Sequence, residues 1–194
     1  MNTRRCEHCG EHLPARHAHN ARFCSGRCRT AAHRASRALP KELLERPRWV
    51  RRTARKVPLT AAGCPASSTD RGTWSTYREA ARSRAGTGLG FALDGDGVVC
   101  VDLDHALDEQ GRALPWARRV LDAAPGCWVE VSVSARGLHV WGRGHLESGR
   151  RLAVDGGSVE LYGNGRYIAV TGVSFDSSPK RLGDIQPLID TVLS

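Results

Sequence analysis

The chain has 194 residues, a formal net charge of +9 and an apolar fraction of 40%. This leaves room for one good-sized domain plus a small appendage, and no apolar run reaches the roughly 18–20 residues that span a bilayer. The opening MNTRRCEHCG has no apolar secretory core, so a soluble, cytoplasmic protein without membrane contacts is expected.

The charge is unevenly placed. Residues 1–56 hold 15 Lys or Arg against 4 Asp or Glu, a local balance of +11, whereas residues 57–194 stand at −2. The front is a cationic module suited to a polyanion, nucleic acid above all. The remainder has the balance of an ordinary enzyme or binding domain.

The first unit, residues 1–38, carries four of the seven cysteines. Cys6 and Cys9 form a Cys-x2-Cys knuckle and, after fourteen intervening residues, Cys24 and Cys28 form a Cys-x3-Cys pair. Two such pairs give the four soft ligands of a closed structural zinc site, in a segment too short to bury a core. His8, His12, His17, His19 and His33 lie nearby as substitute ligands. A basic helix is expected after Cys28. Cys64, Cys100 and Cys127 are scattered and read as small hydrophobes or incidental thiols.

Residues 39–47 read as a linker, and the main domain as 48–194. RWVRR at its entrance has two readings, a phosphate contact or a solvated face with Trp49 anchored in the core. TWSTYREAARSRA (73–85) has helical spacing with Thr73 as a candidate cap. GLGFAL (88–93) and VVCVDL (98–103) read as adjacent strands joined by DGDG. LPWARRVLDAAPG (114–126) reads as a helix opened by Pro115. Four strands follow, WVEVSV (128–133), GLHVWG (137–142), GSVELYG (157–163) and RYIAVTG (166–172). DIQPLIDTVL closes the chain as a helix with Pro187 early in it. Short antiparallel strands with a few helices make the class α+β.

Three places in these strands carry chemistry. Asp102 and Asp104 stand two apart, so strand geometry turns both carboxylates to one face. Burying either unpaired costs several kcal/mol, and a hard divalent cation such as Mg2+ or Mn2+ removes that cost. His139 follows a small polar turn of Ser132, Ser134, Arg136 and Gly137 that suits a phosphate. Glu160 places a third carboxylate among apolar neighbours, and the GNG turn is expected to bring Arg166 onto an antiparallel neighbouring strand. Each element alone has a bland reading as a strand end, a structural histidine or a surface ion pair. Together they outline a two-metal phosphoryl-transfer site.

VDLDHAL, SVSARGLHVWG and VELYGNGRYIAVTG resemble motifs I, II and III of the archaeo-eukaryotic primase superfamily, closest to the prim-pol domain of phage and plasmid bifunctional DNA primase/polymerases. KVPL, STDRGTWSTYREA and GLGFAL are similar to that family's run-in, so the resemblance covers about residues 48–175. It implies an RRM-like antiparallel catalytic sheet with flanking helices and a DNA primase/polymerase activity. Asp102, Asp104 and Glu160 would hold Mg2+ or Mn2+. His139, Ser134, Arg166 and Lys56 would bind the nucleotide. The implied partners are single-stranded DNA template, nucleoside triphosphates and a helicase on a separate chain, since no helicase region follows Ser194. Ala135 departs from the family pattern, where a Ser-Gly-x-Gly turn is usual. A metal-dependent nuclease using the same carboxylates and a non-catalytic DNA-binding replication or regulatory protein are the competing readings.

Overall fold

The computed structural model describes residues 4–6, 8–14, 17–36 and 39–193, with side chains of 32–36, His33 included, outside the described set. In chain order the elements are α1 (Gly26–Ser36), α2 (Lys41–Leu44), β1 (Trp49–Arg52), β2 (Pro58–Leu59), α3 (Tyr77–Arg82), β3 (Gly88–Asp94) and β4 (Val98–Asp104). Then come α4 (Pro115–Asp122), β5 (Trp128–Val131), β6 (Leu138–Arg143), β7 (Arg150–Val154), β8 (Gly157–Tyr162), β9 (Asn164–Val170), β10 (Gly183–Asp184) and α5 (Gln186–Leu193). The class is α+β, as expected, with two sheets. One has the order β2-β1-β3-β9; the other runs β10-β6-β4-β8-β7, with β5 also on β6. All pairings are antiparallel except that of β10 with β6.

Alternation along the strands of the larger sheet produces two cores. Val99, Val101, Leu103, Leu138, Val140, Val159 and Leu161 point one way and pack on Ala117 of α4 and Leu188 and Ile189 of α5. The opposite face sends Cys100, Trp128 and Trp141 toward Trp49, Phe91, Leu93, Ile168 and Val170 of the smaller sheet. Each of these large rings takes roughly 150–250 Å² out of water. The three indoles of this second core find acceptors: Trp49 donates to the Leu43 carbonyl (3.0 Å), Trp128 to Ser174 Oγ (3.2 Å) and Trp141 to Glu130 Oε1 (3.2 Å). Residues 39–47 contribute Leu39 and Leu43 to the second core.

Several local expectations are corrected. GLGFAL and VVCVDL do not pair. β3 lies between β1 and β9, β4 lies between β6 and β8, and the DGDG segment carries the chain from one sheet to the other. Likewise β9 pairs with β3, so Arg166 is not on a strand beside that of Glu160. A period of two fixes which face a residue takes but not which strand is its neighbour, so in sequence both turns look like hairpins. The helix predicted over 73–85 is confined to Tyr77–Arg82. Thr76 is its cap, and Glu79 reaches back to Thr76 N at 2.9 Å.

RWVRR is largely strand β1. Trp49 is fully buried, Arg48 pairs with Asp96 (2.7 Å) and stacks over Phe91, and Arg51 donates to the Ala85 carbonyl at 2.6 Å. The anchored reading of Trp49 is therefore the observed one.

Candidate functional site

The register of the larger sheet sets five charged residues in one row across it. Glu130 on β5 opposes His139 on β6, His139 opposes Asp102 on β4, Asp102 opposes Glu160 on β8, and Glu160 opposes Arg151 on β7. Residues directly opposite share a face, so all five side chains leave the sheet on the side of the smaller one. There the apolar contact between sheets gives way to a cleft of about 410 Å³. Asp102, His139, Glu160 and Tyr162 form one wall, and Lys56, Arg166 and Tyr167 are among the residues of the other.

The row is unequally satisfied. Glu130 is fully buried, and its Oε1 faces His139 Nδ1 at 3.1 Å. Its Oε2 accepts from Thr171 N (2.9 Å), Thr171 Oγ1 (3.0 Å) and Gly172 N (2.8 Å). An acceptor at Nδ1 puts the proton there and leaves Nε2 facing the cleft, 3.8 Å from Asp102 Oδ1. Burial works against the His139 cation, but the Glu130 carboxylate, with help from Asp102, holds its pKa above the usual imidazole value. Asp102 differs. Its Oδ1 is buried without a hydrogen-bond partner. Burial pushes its carboxyl above the ordinary range; His139 opposes the shift and the Asp104 and Glu160 charges add to it.

Glu160 is held on both oxygens, by Arg151 Nε at 3.0 Å and by the Tyr162 hydroxyl, which donates to it. Arg166 lies over the Tyr162 ring, 4.8 Å from its centroid, and donates to the Tyr162 hydroxyl at 3.2 Å. Lys56 arrives from the turn between β1 and β2 with φ +59, its carbonyl accepting from Tyr167 OH. Thus Asp102, Glu160, His139, Arg166 and Lys56, scattered in sequence, meet at one cleft. Asp104 is half-buried on the same face of β4 but opposes Ser158, outside the residues that line the cleft. Ser134 is also outside them, hydrogen-bonded to Ser132 Oγ at 3.0 Å within its turn.

Sequence reasoning missed Glu130, Arg151 and Tyr162. Glu130 carried the signal used for Glu160, a lone carboxylate in an apolar strand, in WVEVSV. Ala135 stands in its turn at φ +59, the left-handed region where glycine is favoured. Gly137 has a separate reason to lack a side chain, since a Cβ there would meet the Leu103 carbonyl oxygen at 2.7 Å.

The N-terminal segment forms its own cluster. The Sγ atoms of Cys6, Cys9, Cys24 and Cys28 lie within 4.8 Å of one another, with Cys9–Cys24 at 3.6 Å and Cys24–Cys28 at 3.5 Å. Tetrahedral zinc thiolate bonds imply sulfur separations of about 3.8 Å. The knuckle closes by Gly10 N donating to the Cys6 carbonyl (2.9 Å), and α1 starts just after Cys24. Crowding by Cys28, Cys9 and Cys6 pushes the Cys24 thiol up to about 12. Four thiolates so close suit a dication. His17 instead contacts the Cys24 carbonyl at 3.1 Å through Nε2. Arg84 of the main body donates to the Cys9 carbonyl at 2.8 Å, docking the knuckle. Among the described residues no helix is long and apolar enough to cross a membrane.

These features define a class: an α+β body whose larger sheet presents a carboxylate–histidine row to a basic wall, with a four-cysteine module in front. No family model matches the chain. It is 39% identical over 137 residues to a protein of Nitratiruptor phage NrS-1 described as a DNA Primase-polymerase. The match takes in 66% of this chain and 19% of the relative, so the chain spans about a fifth of that protein's length. The resemblance to the prim-pol domain is borne out by this relationship.

Proposed function

We propose that the chain is a DNA primase/polymerase that joins nucleotides on a single-stranded DNA template. The observation that carries the reading is the register placing His139, Asp102 and Glu160 in one row, with Lys56 and Arg166 across the cleft. Carboxylates on one side and cations on the other match an incoming triphosphate and the ions that accompany it.

The buried, unpartnered Asp102 Oδ1 and the crowding of Asp102 by Asp104 and Glu160 fit hard divalent ions. Asp102, Asp104 and Glu160 would hold Mg2+ or Mn2+, and the four cysteines would hold structural zinc. Such ions, when bound, activate the attacking oxygen and stabilise the leaving pyrophosphate. The chain's own residues do the rest. His139, as the imidazolium that Glu130 favours, offers an Nε2–H to a phosphate oxygen. Arg166, braced on Tyr162, and Lys56 neutralise the triphosphate. Ser134 serves the same phosphates through the turn it stabilises. The basic front module grips the template, and a helicase is a partner consistent with this role.

Template-dependent incorporation of labelled nucleotides, with Mg2+ or Mn2+, tests the reading. Asp102→Ala plus Asp104→Ala is expected to lower the rate about a thousandfold, the scale of losing preorganised charge stabilisation. Normal incorporation by that variant overturns it. DNA degradation without nucleotide binding would place the same carboxylates in a nuclease instead.

A further inference from the structure

Beyond the catalytic row, a second cavity of about 530 Å³ lies between the end of β9 and the turn that follows β5. β9 supplies Tyr167–Ala169 to the first cleft, and Val170 with the following Thr171 to the second, so the two lie along one strand. The walls are mostly aliphatic, with Leu89, Val133 and Val170 among them and Thr87, Ser132 and Thr171 as hydroxyl-bearing residues.

Arg52 lines this cavity and has an unusual environment. It is only 8% exposed. One amino group donates to the Thr53 carbonyl at 3.2 Å, while Nε is buried with no hydrogen-bond partner. Arg48, equally buried, is neutralised by Asp96, whereas Arg52 forms no ion pair among the described residues. Its headgroup rests on Gly88, where a Cβ would come within 2.6 Å of the guanidinium. Gly88 therefore leaves the space that the cation occupies. A buried guanidinium without a counter-charge, at the edge of a cavity, is a site for an anion. Its planar fork suits phosphate oxygens, and aliphatic walls suit a sugar or base beside them.

We propose that this cavity is a second phosphate subsite, in which Arg52 receives a phosphate of a nucleotide or of a nucleic-acid strand continuing from the neighbouring cleft. It is separate from the phosphates assigned to His139, Lys56 and Arg166, and it rests on the nucleotidyl-transfer reading for the source of its ligand.

The test uses the full chain with Mg2+, comparing the wild type with Arg52→Met and Arg52→Lys. Fluorescence anisotropy reads binding of a labelled ten-nucleotide oligo(dT), and equilibrium dialysis reads ATP. Arg52→Met keeps the length and removes the charge, so its Tm is expected to be no lower than wild type. If the strand is the source, oligo(dT) binds about tenfold more weakly, the scale of one charge-assisted hydrogen bond. The slope of log K against log salt then also falls by about 0.7, the share of one phosphate contact on a single strand. If a free nucleotide is the source, ATP affinity falls by a similar factor and oligo(dT) affinity does not. Arg52→Lys retains part of either affinity and gives the same readout should Arg52→Met fail to fold. Unchanged binding of both probes overturns the proposal. Because binding is read without turnover, a chain inactive in incorporation that still binds through Arg52 removes the proposed activity and leaves the subsite standing.

Discussion

One end of the charged row and its middle differ in how their polar atoms are met. At the Glu130–His139 end, the buried carboxylate is matched by donors from β5's neighbours and from the segment after β9. At Asp102 an oxygen is buried with nothing to bond. Both are carboxylates on the same face of the same sheet. Satisfaction marks the first as scaffold, and its lack marks the second as the place where a ligand completes the structure. Glu160, beyond Asp102 in the row, combines both characters, held by Arg151 and Tyr162 yet lining the cleft.

That contrast predicts mutational effects of opposite sign. Glu130→Ala, the largest, strands His139, Trp141 and the Thr171–Gly172 amides, and is expected to cost about 3–5 kcal/mol in urea denaturation. A cost near zero would erase the distinction between Glu130 and Asp102. Asp102→Asn, without divalent ions, is expected to stabilise the fold by about 1 kcal/mol, a rise of roughly 2–4 °C in Tm. The folded-state pKa of Asp102 is raised. Ionising it therefore costs stability as pH climbs past its ordinary value of about 3.9, and the gain from Asn should vanish below that pH. A destabilised Asn variant at neutral pH would mean that the carboxylate is already satisfied. The smallest effect is Ala135→Gly. It relieves a left-handed residue and offsets this with greater freedom in the unfolded chain, for a net gain of about 0.5 kcal/mol by thermal denaturation.

The faces of β4, β6 and β8 were legible in the sequence because alternation alone turns Asp102, His139 and Glu160 away from the aliphatic core. The partnering of strands was not. DGDG and GNG look like hairpin turns, and only tertiary packing shows that each leads from one sheet to the other. Strand β7 is not legible because RRLAV is short and shows no alternation of apolar and polar residues, and with it goes Arg151, the partner of Glu160. Lys56 entered through the family resemblance alone, since nothing local in RKVP marks a turn that reaches a cleft formed by distant strands. The cysteine set was the most legible feature, because its spacing encodes its geometry directly.

The two passages between sheets have a mechanical consequence. They lie side by side, with Gly95 N donating to the Gly163 carbonyl at 2.9 Å, and β9 begins there. Seven residues later, roughly 20 Å along the strand, Glu130 ties Thr171 and Gly172 back to the larger sheet. β9 is thus pinned at both ends, like a string over two bridges. The aperture between the sheets has a fixed gauge. What enters is measured against it, and the parts left to adjust are the rim side chains, Lys56 and Arg166 foremost.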